Sequence, residues 1–259
     1  MEDKLFLAAE EYFGIKANED DLEKFREHLV KTYGLWENPD LLNRVFHSGE
    51  AASFLTVNET YFFREPNHFQ FLRELLPLFN GTVRICSAAS STGCEAYSIA
   101  ALLESYNRFN PPVRYSIDAF DINPRVIKTA EGCVYGKGSF RDDGSSFHYA
   151  LDPFMKQEGD SFIISPSLKK NIRFFVHNIM DPLPAETWDL IFFRNAFIYF
   201  SRRYRERVLS NLAAALAEPG FLIMGVSETA GVHHSAFDAK NRGDVFYFQK
   251  AVYRSGNSL

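Results

Sequence analysis

Asp121 stands 28 residues after Gly93 (121 − 93), at the end of an apolar run of strand character, Tyr115–Asp121. An acid at that place accepts hydrogen bonds from both hydroxyls of a ribose. The plainer reading is an aspartate turning out of a strand into Asn123-Pro124. Upstream, Ala88-Ala89-Ser90-Ser91-Thr92-Gly93 separates the run Val83–Ser87 from a helical pattern that starts near Glu95. This turn has no bulky side chain, so its backbone can approach a ligand, and the helix aims free N–H groups into the same space. The spacing fits NAD as well as S-adenosylmethionine and so indicates a nucleoside without choosing one. The glycines discriminate. A dinucleotide turn wants G-x-G-x-x-G to meet a pyrophosphate, and here only Gly93 is a glycine. A smaller, zwitterionic tail fits better. Glu95 can pair with an ammonium on such a tail, or serve only as the acid that helix N-termini favour.

Two further stretches gather polar groups. Leu55–Pro66 holds Asn58, Thr60 and Arg64 among the aromatics Tyr61, Phe62 and Phe63. Ligand clefts at domain junctions favour such sets, although the three aromatics alone read as core. Trp188–Phe193 is a buried strand that breaks into Arg194-Asn195, which places this pair at the mouth of a cleft. Tyr199 follows within reach, and by itself reads as an aromatic on an apolar face.

The elements that must position these residues alternate from Val83 onward. Strands are predicted at Val83–Ser87, Tyr115–Asp121, Ile172–His177, Leu190–Phe193, Phe221–Gly225 and Val245–Gln249. Helices fit Glu95–Tyr106, Pro124–Glu131 and Arg202–Leu216, with Glu218-Pro219-Gly220 as a stop before the next strand. Alternation of this kind implies a doubly wound parallel sheet, an α/β fold with helices on both faces. Residues 133–170 interrupt it and hold a candidate hairpin at Glu158-Gly159-Asp160. Residues 1–55 show only helical periodicity, through Leu5, Ala8, Ala9, Tyr12 and Phe13, then Leu22, Phe25, Leu29 and Val30, then Leu41, Leu42, Val45 and Phe46, with Asn18 and Asn38 as caps. The expected division is a helical domain at 1–55 and a larger domain at 56–259.

Bulk properties exclude several classes. With 46% hydrophobic and 24% charged residues and a net charge of −5, the chain resembles a globular domain rather than a nucleic-acid binder driven by charge. The first 55 residues set twelve acids against six Lys or Arg, a balance of −6. No run approaches the roughly 20 apolar residues of a membrane span, and Met1-Glu2-Asp3-Lys4 does not open a signal peptide. Cys86, Cys94 and Cys133 form no C-x-x-C pair, and His233-His234 are adjacent on a loop. Buried or helical free thiols in a reducing cytoplasm and no metal site are expected.

Six blocks, in order and over roughly residues 45–250, resemble the CheR-type chemotaxis receptor methyltransferases. They are Asn58-Glu59-Thr60…Phe62-Phe63-Arg64-Glu65-Pro66, Ser87–Gly93…Glu95…Tyr97-Ser98, Asp121-Ile122-Asn123, His177-Asn178…Asp181-Pro182, Phe193-Arg194-Asn195…Ile198-Tyr199-Phe200 and Gly225…Ser227-Glu228. Two positions depart from the pattern: Cys94 stands where the family has a glutamate, and Ala96 where it has a proline. The resemblance implies an S-adenosylmethionine methyltransferase sheet with a helical N-terminal domain and a small β-subdomain, here at 154–175. It implies methyl transfer from S-adenosylmethionine to receptor glutamates, leaving S-adenosylhomocysteine. The roles it carries over are cofactor binding for Asn58, Thr60, Arg64, Ala88, Glu95, Asp121, Asn178, Ile179, Arg194 and Asn195. Within these, Glu95 faces the methionine tail, Asp121 the ribose and Asn178 the adenine region. Arg194 and Tyr199 resemble residues that line the methyl-transfer site, and Arg64 and Tyr199 are the expected catalytic pair, orienting the substrate carboxylate. The alternatives are a methyltransferase of the same fold with another substrate and a module that binds the cofactor without turnover.

The implied partners are glutamate-bearing helices of methyl-accepting chemoreceptors, with no nucleic acid and no membrane insertion. Some members of the family grip a receptor's C-terminal pentapeptide on the β-subdomain. Here the turn has one glycine flanked by acids, which repel a peptide carboxylate. Direct docking without peptide tethering is therefore expected, and the acidic N-terminal segment is poorly matched to a glutamate-rich helix unless Lys24, Arg26, Lys31 and Arg44 gather on one face.

Overall fold

The structure is a computed structural model, and it describes residues 4–141, 147–185 and 187–251. Four helices come first: α1 (Lys4–Phe13), α2 (Glu19–Tyr33), α3 (Pro39–His47) and α4 (Ala52–Leu55). Their apolar stripes meet in a core of their own, with Leu5, Phe25, Leu29 and Val45 fully buried. Asn18 and Asn38 cap α2 and α3 by accepting from the N–H of Asp21 and Leu41, and Gly34 ends α2 in the left-handed region.

Helix α5 (Pro66–Leu75) leads into β1 (Thr82–Ala88), α6 (Cys94–Asn107), β2 (Arg114–Asp121), α7 (Pro124–Gly132) and β3 (Val134–Gly136). Then come β4 (Met155–Glu158), β5 (Ser161–Ile164), α8 (Pro166–Lys169), β6 (Ile172–Val176) and β7 (Trp188–Phe193). The chain continues through α9 (Arg202–Ala215), β8 (Leu216–Met224), β9 (Phe237–Arg242) and β10 (Val245–Lys250).

The main sheet has the order β6-β2-β1-β7-β8-β10-β9. Strands β6, β2, β1, β7 and β8 run parallel, while β10 and β9 pair antiparallel. The expected parallel sheet is thus a mixed one, closed at one edge by a hairpin. The central strands β1 and β7 are covered on both faces, which is why Ile85-Cys86-Ser87-Ala88 and Leu190–Phe193 are buried without alternation. Strand order reverses between β1 and β7. Ligands of open α/β sheets lie at the carboxyl ends of the strands flanking such a point. Helix α6 is buried almost all round, from Ala96 to Leu103, because α5 and α8 pack on it as well as the sheet.

Three details depart from the sequence reading. Strand β9 was not expected: Phe237-Asp238-Ala239-Lys240-Asn241-Arg242 has one buried side chain, and only pairing with β10 makes it a strand. Strand β8 starts at Leu216, before Pro219, because a bulge lets β7 pair with Leu216 through Trp188 and again with Phe221 through Leu190. The small sheet, β3-β5-β4, takes its third strand from Val134–Gly136, outside 154–175, whereas Ile172–Phe175 belongs to the main sheet.

The helical domain is stitched to the sheet domain beside Tyr199. Ile15 bridges Phe200, the Lys16 N–H donates to the Tyr199 carbonyl (3.0 Å), and the Ser201 N–H donates to the Gly14 carbonyl (2.9 Å). Gly14 has φ +72°, and a Cβ there would lie 2.5 Å from Met180 Sδ and 3.1 Å from Phe200. Only glycine lets this turn come so close.

Candidate active site

A cavity of about 250 Å³ opens at the carboxyl ends of β1, β2 and β7. Its wall at β1 is the small-residue turn, in which Ala89 and Ser91 take left-handed φ of +55° and +49°. Asp121 lies 7% exposed at the end of β2. Its carboxylate accepts from the N–H of Ser91 (2.9 Å) on one oxygen and of Asn123 (2.9 Å) on the other. Burial raises its pKa above the ordinary carboxylate value, and the N–H groups of Asn123, Ser91 and Ile122 oppose that rise. Asp121 borders the cavity, and its carboxylate has acceptor capacity beyond these N–H groups.

Beneath this lies a buried charge cluster. Arg194 Nη1 donates to Glu95 Oε2 (2.9 Å), and Nη2 lies 3.4 Å from Glu65 Oε2 and donates to the Arg64 carbonyl. Its guanidinium also lies over the Phe69 ring, 5.7 Å from the centroid. Ser87 Oγ donates to Glu95 Oε1 (2.7 Å). Burial pushes Glu65 up, but the Arg194 guanidinium and the Asn195 amide bring it below its ordinary value. His68 is driven down to about 3 by burial and by Arg194, so at neutral pH it carries no charge. The cluster therefore holds two carboxylates against one cation.

That excess of negative charge suits an ammonium or sulfonium, which tests the fit of the implied cofactor. So does the set of buried polar atoms without a partner: Ser90 Oγ, His177 Nε2 and Arg194 Nε all belong to residues lining the cavity. A diol acceptor, a cation site and unpartnered polar atoms in one apolar pocket match the parts of S-adenosylmethionine.

The cavity brings together Asn58, Thr60, Arg64, Glu95, Asp121, Asn178, Ile179, Arg194, Asn195 and Tyr199. Ala88 is the exception. It packs 1% exposed in the core with Phe120, and Ala89 takes its place on the wall. Asn178 reaches the cavity with its amide already used, since Nδ2 donates to the Tyr12 carbonyl (2.8 Å) and Oδ1 accepts from the Met180 N–H (3.0 Å). Arg64 makes only a hydrogen bond to the Glu59 carbonyl (3.3 Å) and a stack on Tyr61, with no ion pair among the described residues. Cys94 faces the core rather than the cavity, and burial raises its thiol to about 12.

Several lining residues escaped the sequence reading. His177 stood inside a matched block without a role. Phe13, Ile15, Lys16, Ala17, Asn18 and Asp21 come from the helical domain, which was assigned no part in the site. The signal that could have found them is Gly14, a glycine directly after a helical stripe.

Comparison with known proteins decides the family. The model of the CheR methyltransferase SAM-binding domain matches residues 58–244. The chain belongs to the CheR methyltransferase family. It is accordingly an S-adenosylmethionine-dependent methyltransferase, with the mixed sheet and helical N-terminal region described above. This CheR protein is similar to a chemotaxis protein methyltransferase of Borreliella burgdorferi, 32% identical over 241 residues, 84% of this chain and 83% of that one. A second relative, from Listeria monocytogenes and of the same description, is 32% identical over 184 residues, 69% of this chain and 68% of that one. The "Probable biofilm formation methyltransferase WspC" of Pseudomonas aeruginosa is 34% identical over 195 residues, 70% of this chain. The match spans only 45% of WspC. Among the described residues no helix is long and apolar enough to cross a membrane.

Proposed function

We propose that this CheR protein methylates glutamate side chains on chemoreceptor helices. The observation that carries the reading is that Asp121, the Glu95–Arg194 pair, Arg64 and Tyr199 all border one cavity. When bound, S-adenosylmethionine supplies an electrophilic methyl group on a positively charged sulfur. Asp121 accepts the ribose hydroxyls, and Glu95 balances the cationic tail. The polar atoms of Ser90 and His177 are available to the rest of the cofactor. Asn178 acts through its backbone and by tying Tyr12 to the pocket.

A glutamate carboxylate has an ordinary pKa of about 4.3 and is already an anion at neutral pH. No base has to remove a proton, and the site's task is alignment and exclusion of water. Arg64, whose guanidinium has no carboxylate partner among the described residues, is set to pair with the substrate carboxylate. Tyr199 orients the same group with its hydroxyl. The helical domain closes this end of the pocket through Ile15 and Lys16.

Direct docking on receptor helices, without capture of a peptide terminus, is part of the proposal. Around the Gly159 turn, Lys156 pairs with Glu158 and Lys137 with Asp160. Nearby, Lys169 donates to the Glu131 carbonyl and Arg173 pairs with Asp118. These cations are engaged within the chain, which disfavours binding of a terminal carboxylate there. In the helical domain Lys24 pairs with Asp21, Arg26 pairs with Glu23 and stacks on Trp36, and Arg44 stacks on Tyr33. Three of the four cations are thus engaged within that helical region. All three cysteines are unpaired thiols, in keeping with a reducing compartment, and we place the reaction in the cytoplasm.

The test is calorimetric titration with S-adenosylmethionine, S-adenosylhomocysteine and NAD, followed by a methylation assay on a receptor helix and on its Glu→Gln copy. Binding of the first two ligands, none of NAD, and methylation of the glutamate helix alone are expected. Cofactor binding without methylation of any receptor helix would leave a different substrate or a binding module. Micromolar binding of a receptor C-terminal pentapeptide would overturn the docking statement.

A further inference from the structure

Glu228, in the block Gly225…Ser227-Glu228, takes no part in the reading above, yet it is 2% exposed and has no cation beside it among the described residues. A lone buried carboxylate is costly unless several donors converge on it. Here they do. Oε2 accepts from the N–H of Asn195 (2.7 Å) and of Gly225 (2.9 Å), and Oε1 accepts from the N–H of Ile198 (3.2 Å). Asn195 and Ile198 begin and end the turn that delivers Tyr199 to the cavity. Asn195 sits at φ +58°, in the left-handed region that asparagine tolerates better than other non-glycine residues.

The opposite side of the turn is fixed in the same way. Asn195 Nδ2 donates to Glu65 Oε1 (2.9 Å), and Glu65 is itself at φ +56°. Gly225 lets the three segments meet, since a Cβ there would fall 2.7 Å from Glu228 Oε2 and 2.8 Å from Asn195 Nδ2. Two carboxylates thus bracket Asn195, one on its backbone and one on its side chain. A neutral amide at 228 could not replace this arrangement, because its NH2 would face backbone N–H groups.

We propose that Glu228 is a positioning residue for methyl transfer, holding the Asn195–Ile198 turn so that Tyr199 is presented to the substrate carboxylate. It borders neither substrate nor cofactor and acts through the turn. The inference rests on the methyl-transfer reading and deepens it.

The test is a double-mutant cycle of Glu228→Gln with Tyr199→Phe, combined with hydrogen exchange. Glu228→Gln is expected to lower kcat at least tenfold while KM and the Kd for S-adenosylhomocysteine stay within threefold. The double variant should be no slower than Tyr199→Phe alone, because a misplaced hydroxyl and an absent one are the same defect. Losses that multiply, or an unchanged kcat in Glu228→Gln, would overturn the proposal. Independently of turnover, exchange in the peptide over residues 195–200 should accelerate in Glu228→Gln, with β1 unaffected. Unchanged exchange there also overturns it. Should Glu228→Gln not fold, Gly225→Ala, which crowds the same carboxylate, takes its place in both arms. A wild-type protein that binds no cofactor would instead refute the functional reading, and the exchange arm would still decide whether Glu228 holds the turn.

Discussion

Glu95 Oε2 lies 2.9 Å from Arg194 Nη1, so the first turn of α6 and the end of β7 are joined by a nearly water-free ion pair. The Arg194 side chain is 2% exposed and Glu95 13%. Arg194 also binds the Arg64 carbonyl and faces Glu65, so one guanidinium holds two acids and the linker between the domains. Removing one member of a buried pair leaves an uncompensated charge and costs about 3–5 kcal/mol. Arg194→Met is expected to lose about that much stability in urea titration. Arg194→Lys should recover only part of it, since one ammonium cannot span these partners.

Asp121→Ala should weaken S-adenosylhomocysteine binding. A hydrogen bond to a charged group contributes roughly 1.5–3 kcal/mol, so each one lost lowers affinity about tenfold to a hundredfold. Calorimetry measures this directly, and unchanged affinity would place the ribose elsewhere.

The same residue sets a pH dependence. The folded Asp121 carboxyl titrates above its ordinary value because it is buried. The folded chain therefore binds this proton more readily than the unfolded chain. Asp121's contribution to stability falls as pH rises from the unfolded toward the folded value. Cofactor affinity runs the other way: it declines as pH falls through the folded value, because the protonated acid is the poorer acceptor. Calorimetry between pH 8 and the acid limit of folding, on wild type and Asp121→Ala, should show this dependence in the wild type alone.

Arg64→Ala and Tyr199→Phe should each reduce turnover on a glutamate helix, by about 10²–10³-fold if they stabilise charge in the transition state. The Kd for S-adenosylhomocysteine should change less than turnover in both. Full turnover in both variants would remove them from the mechanism.

Gly93→Ala should destabilise the fold. Gly93 has φ +82°, and an added Cβ would lie 2.8 Å from Ala130 Cβ and 2.9 Å from Phe174 Cε1. A left-handed conformation costs a residue with a Cβ roughly 1–2 kcal/mol, and overpacking about 1–3 kcal/mol more. Urea unfolding should register a loss in that range.

Cys94 shows how far local sequence carries. Its place in the matched block was legible, and so was its departure from the family's glutamate. Its burial agrees with the expectation of buried or helical thiols, and the packing of α5 and α8 on α6 shows what covers it. Likewise Ala88 and Ala89 are the same residue type in one small-residue turn. The left-handed φ of Ala89 puts one on the wall and the other in the core.

The sequence by itself determined the alternation of strands and helices, the helical first 55 residues, the family, and the acids at 95 and 121. The alternation and the helices follow from periodicity and capping, and the family from the resemblance of the matched blocks, all of which are patterns along the chain. Tertiary structure alone decided that β9 is a strand, that Asn178 spends its amide on Tyr12, and that Arg194 binds two acids. It also decided that Glu228 holds the turn before Tyr199. Such contacts join residues far apart in the chain, and a buried charge is defined by what surrounds it, which no local pattern specifies.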